Sequence, residues 1–142
     1  MNDEQRKYWA QEVAPLKAAM MEAQKRAQQG LSPLSERTDT GYRPLRTLWD
    51  AIAALALKEK NATLNDECQR FLRACEAANK LWLQTSHDLY HAAHKRDPVY
   101  GGDYVQTSTI IAAYQAAGGT TLMQDINKGY ESLSWLLSDL LK

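Results

Sequence analysis

From Thr63 to about His94 the chain keeps one apolar stripe: Leu64, Cys68, Phe71, Leu72, Cys75, Ala78, Leu81, Trp82 and Leu89 recur at helical spacing. That period puts them on one side of an α-helix. At 1.5 Å per residue such a helix is roughly 45 Å long. An element of that length becomes a spine against which the rest of the chain must pack. Thr63 with Asp66 reads as a capping box at its start. Pro98 stops it, because the residue before a proline avoids helical dihedrals.

The flanking segments follow the same period. Trp9, Val13, Leu16, Met20, Ala23 and Ala27 form a stripe over Asp3 to Gln29. Asn2 or Asp3 can cap it, and Gly30 can close it in the left-handed conformation. Pro15 lies inside, where it removes a backbone hydrogen bond and either kinks the helix or splits it in two. A turn-rich loop covers 30–43, and Pro44 suits the first position of a second helix. Leu45, Leu48, Trp49, Ile52, Leu55 and Ala56 carry that helix to about Lys60. A second loop spans 97–107. A short helix is expected from Ser108 to Ala117, although Thr109-Ile110-Ile111 favours strand. Gly118-Gly119 closes it. A last helix opens at Thr120 or Thr121, with Gln124 completing a box from Thr121. The expected fold is therefore all-α: one domain over 1–142, a bundle of about five helices, six if Pro15 breaks the first.

Charge and composition narrow the function classes. Seventeen basic residues balance seventeen acidic ones in 142 residues, and the pI is near 6.8. Dedicated nucleic-acid binders carry a basic excess, so nucleic acid is an unlikely partner. No apolar run approaches the roughly 20 residues of a membrane span. The charged start Asp3-Glu4-Gln5-Arg6-Lys7 leads into no apolar signal core, which points to the cytoplasm. Cys68 and Cys75 stand two helical turns apart, roughly 10 Å, too far for a disulfide. Both fall on the apolar stripe and read as small buried hydrophobes. Asn61-Ala62-Thr63 matches a glycosylation sequon, but helix capping explains it better.

All three histidines sit within one stretch, His87, His91 and His94, spaced i, i+4, i+7. At about 100° per residue they project from one helix face, and imidazoles so placed can chelate a borderline ion such as zinc. That face points away from the core stripe and also carries Arg73, Glu76 and Lys80. The alternatives are a weak surface zinc site, a solvated polar face, or a partner face sensitive to pH, since free imidazole titrates at about 6.5. Asp88 is adjacent but points roughly 90° off the histidine direction.

Known catalytic arrangements are not met. The His87-Asp88 pair lacks the upstream histidine that the helical HD phosphohydrolases need. No glutamate stands three residues before a histidine, as carboxylate-bridged di-iron bundles require. Gly-x-Ser-x-Gly, His-Glu-x-x-His and phosphate-loop patterns are absent from the sequence. The sequence supplies no set of residues assignable as nucleophile, base and stabiliser, which leaves an enzymatic role open but not favoured.

Two loops offer recognition chemistry. Tyr100, Asp103 and Tyr104 surround Gly101-Gly102, and tyrosine in loops makes adaptable amphipathic contacts. Arg37, Arg43 and Arg46 gather near the start of the second helix, where planar guanidinium groups suit a carboxylate or phosphate. The last helix carries Leu133, Trp135, Leu136, Leu137, Leu140 and Leu141, more apolar surface than one groove needs. It is either central or part of a homodimer interface. By elimination, the expected function is protein–protein binding: a regulator, an inhibitor or immunity-type factor, or an assembly accessory. A zinc-binding protein using the histidine face is the alternative. A weak phosphate or nucleic-acid binder using the 37–46 arginine loop is the third.

Overall fold

A computed structural model describes residues 2–34, Asp50, 53–99 and 105–142. Of these, 85% are helical and none lies in a strand, across five helices. Helix α1 is Asp3–Gln28, α2 covers 53–58, α3 is Ala62–Arg96, α4 is Thr107–Tyr114 and α5 is Thr120–Leu140. A π turn, Gln115–Gly119, joins the last two.

Helix α1 runs unbroken through Pro15, so the six-helix alternative is not realised. Proline leaves the Gln11 carbonyl without its i+4 donor, a loss one position wide that the flanking turns absorb. At the start, Asn2 and Gln5 form a reciprocal capping box. Asp3 and Glu4 in the first turn and Lys25 and Arg26 in the last both complement the helix dipole. Gly30 takes the expected left-handed φ of 79°.

The expected loop after α1 begins as packed chain. Ser32 and Leu34 are buried. The Ser32 hydroxyl donates to Asn79 Oδ1 (3.0 Å) and accepts from the Leu34 amide (3.3 Å), while its carbonyl accepts from Arg26 Nε (2.9 Å). These bonds tie the exit of α1 to the middle of α3, and they satisfy the polar groups that burial would otherwise strand.

Helix α3 starts one residue before Thr63, and its cap is Asn61, whose side chain accepts from the Leu64 amide at 3.1 Å. The Thr63–Asp66 box is thus not the cap. The reason lies upstream. Lys60 adopts a left-handed φ of 55°, and the Asn61 amide donates to the Ala56 carbonyl at 2.7 Å. That i→i+5 bond closes α2 in a Schellman-type turn and fixes Asn61 as the hinge into α3.

Leu64, Cys68, Phe71, Leu72, Cys75 and Ala78 are buried, as the stripe predicts. Trp82 is half-buried, its ring edge-on to Tyr114 at 5.3 Å. Leu89 is only half-buried, and no residue between Leu83 and Ala92 is fully buried. The spine outruns its partner: α3 has 35 residues and α5 has 21.

Helix α5 packs against both α3 and α1, and α4 packs against α3. At the α3–α5 crossing Gly129 is buried, and a Cβ there would stand 3.3 Å from the Phe71 Cα. Glycine therefore permits the backbone approach. Gly118, at φ 123°, breaks the helical path between α4 and α5. Gly119 and Thr120 already have helical dihedrals, so Thr121 lies inside α5 and caps nothing, contrary to its expected role.

Candidate functional site

His87, His91 and His94 are exposed on α3, as the periodicity predicts. The His87 and His91 rings stack face to face, centroids 6.1 Å apart and planes 4° apart. Asp88 lies nearer than its helical direction implies: its Oδ1 sits 3.5 Å from His87 Nδ1 and accepts from Gln84 Nε2 at 2.9 Å. Among the described residues no group of three His, Cys, Asp or Glu side chains is arranged to hold a metal. Asp97, the other carboxylate near this helix end, accepts from the Val99 amide at 3.2 Å. Zinc binding at the histidines is accordingly expected to be weak. It should weaken further in His91→Ala and on acidification, because a protonated imidazole cannot ligate. Calorimetric titration with Zn²⁺ checks this; tight binding retained in His91→Ala would place the ligands elsewhere.

The loop residues Arg37, Arg43, Arg46, Tyr100, Asp103 and Tyr104 lie outside the described residues.

The last helix resolves into two faces. Ile126, Leu133 and Leu137 are buried in the core, with Leu136, Leu140 and Leu141 packed partly against it. Trp135 is instead 66% exposed. It borders an open cleft of about 560 Å³ between α3 and α5, lined by Thr63, Glu67, Glu131, Ser132, Trp135 and Leu136. The lining follows from helical spacing: Thr63 and Glu67 are one turn apart on α3, as are Glu131 and Trp135, and Ser132 and Leu136, on α5. Glu131 is exposed, whereas Glu67 is half-buried with its Oε2 wholly out of solvent and without a hydrogen-bond partner. The site therefore offers an indole face, two glutamates and two hydroxyls. Sequence reasoning marked Trp135 as apolar surplus but not Glu67.

Cys68 and Cys75 are free and buried. Burial, seconded by the Asp50 charge, pushes the Cys68 thiol up to about 12, and burial with the Glu76 charge pushes Cys75 higher still. Both are inert as nucleophiles at neutral pH.

Compared with known protein families, curated proteins and solved structures, the chain matches none. Among the described residues no helix is long and apolar enough to cross a membrane.

Proposed function

We propose that the protein acts by binding another protein, with the α3–α5 cleft around Trp135 as its contact face. The exposure of Trp135 carries this reading: the indole is 66% exposed on a helix whose Leu133 and Leu137 are fully buried. Tryptophan is the residue most enriched at interface hot spots, because a large rigid surface is buried at little entropic cost. Leu57 is more exposed, at 81%, but leucine is under-represented among such anchors. A cytosolic regulator, inhibitor or assembly accessory fits this reading, and the partner's identity decides among them.

The test uses the whole chain as bait. Trp135→Ala is expected to weaken a captured partner by about 2 kcal/mol, roughly thirtyfold, with thermal stability nearly unchanged because an exposed ring supports little of the core. Equal affinity in the variant would overturn the assignment. Light scattering supplies the complementary arm: a dimer that disappears in Trp135→Ala would make the occupant a second copy, the self-association that the apolar excess of 133–141 predicts.

A further inference from the structure

We propose that His87 and His91 form one half of a zinc site, which a second copy of this chain completes with the same pair. The metal joins two molecules through the outer face of α3, apart from the cleft around Trp135.

The pair has the geometry of a chelate. His87 and His91 stand one turn apart on an unbroken helix, which sends both imidazoles to the same side. Their rings lie parallel, with planes 4° and centroids 6.1 Å apart. A tetrahedral zinc with Zn–N bonds of about 2.0–2.1 Å places two such centroids about 5 Å apart. Rotation of exposed side chains spans that difference. His87 also has the neighbour that metal-bound imidazoles commonly have, an orienting carboxylate. Asp88 Oδ1 stands 3.5 Å from His87 Nδ1, and it accepts from Gln84 Nε2 at 2.9 Å. A carboxylate on that side keeps the proton on Nδ1 and leaves the Nε2 lone pair for a metal.

One chain alone does not finish the site. A closed zinc site has four ligands. Among the described residues no group of three His, Cys, Asp or Glu side chains is arranged to hold a metal. A single copy leaves two positions to water, so its hold on zinc is weak. The face is open to a second copy: the His87 side chain is 75% exposed. Leu83 and Tyr90, on the same side of the helix, are 46% and 42% exposed. A two-fold axis through the metal sets the same pair from each copy around it, the isologous arrangement usual in homodimers. Four neutral imidazoles leave the ion its full charge, and the two Asp88 carboxylates balance it from the next layer. Leu83 and Tyr90 lose contact with water in the same joint.

Light scattering on the whole chain tests this, first in chelator and then with Zn²⁺. Zinc is expected to double the mass measured in chelator and to saturate at one ion per two chains. Mg²⁺, which prefers oxygen ligands, is expected to leave the mass unchanged. His87→Ala and His91→Ala are each expected to abolish the doubling. Asp88→Asn is expected to raise the zinc required roughly tenfold. His94→Ala and Trp135→Ala are expected to retain it, since neither side chain belongs to the pair. Circular dichroism should show every variant folded, because these side chains are exposed. A mass unchanged by zinc, or a doubling that survives His91→Ala, would overturn the proposal. So would a doubling lost in Trp135→Ala, which would place the joint at the other face.

Discussion

Phe71→Ala is expected to lower the unfolding free energy by about 3–5 kcal/mol, a large part of the stability of a typical domain. Phe71 is the only phenylalanine in the chain and is 1% exposed. It lies where α3 meets α5, against Gly129, with a hypothetical Gly129 Cβ only 3.3 Å from the Phe71 Cβ. Deleting the ring removes buried apolar area and leaves a void between two helices whose backbones already touch. They cannot move closer to fill it, so the cost belongs near the upper end of the range. Urea unfolding should show a lower midpoint with an unchanged slope. A loss below about 1 kcal/mol would mean that the site collapses around the truncation, contrary to the packing described.

The second large effect is loss of stability in alkali. Cys68 and Cys75 carry raised thiol pKa values because burial opposes the thiolate. In the unfolded chain each ionises near the ordinary value of 9.0, whereas folded Cys68 holds its proton to about 12. Above pH 9 the folded state therefore binds more protons than the unfolded state, and stability falls as pH rises. Linkage sets the slope at about 1.4 kcal/mol per pH unit for each thiol. With both thiols contributing, the fall is about 3 kcal/mol per unit across that window. The contribution is fully present below pH 9 and lost on the way up through the folded values. Tyr114 adds to the loss at still higher pH, since burial and then the nearby Cys75 raise its pKa. Denaturant midpoints at pH 8, 9.5 and 10.5 check the slope, and Cys75→Ala should roughly halve it. A flat profile to pH 10.5 would show that the thiols ionise in place.

How far the sequence foretells this structure depends on how local each decision is. The α3 stripe was legible because burial on a helix obeys a fixed angular period, and Leu64, Phe71 and Cys75 fall where the period puts them. Trp135 was legible by the same rule: it stands two residues from both Leu133 and Leu137, nearly half a turn away from each. Counting the apolar residues of that helix hid this, whereas their angles reveal it. The start of α3 was not legible. Asn61 and Thr63 are both good caps, and the Lys60 turn that closes α2 chooses between them. The Ser32–Asn79 bond spans 47 residues, and no local pattern encodes it. Glu67 flanks the core stripe beside Cys68, which foretells partial burial. Its unpartnered oxygen depends on what α5 fails to provide, and that is a property of the packed pair.

The placement of α5 has a consequence for how the chain acquires its shape during synthesis. Among the described residues, helices α1 and α3 both pack on α5. The ribosome releases α1 and α3 first, so their apolar faces emerge before the helix that covers them. Isolated helices are marginal in water without a partner surface. The core around Phe71 therefore cannot close until residues 120–140 have cleared the exit tunnel. Closure of this part of the core thus waits for α5, whatever has been made before it. A ribosome stalled within α5 would hold the earlier helices without the one that covers them, rather than a smaller version of the fold.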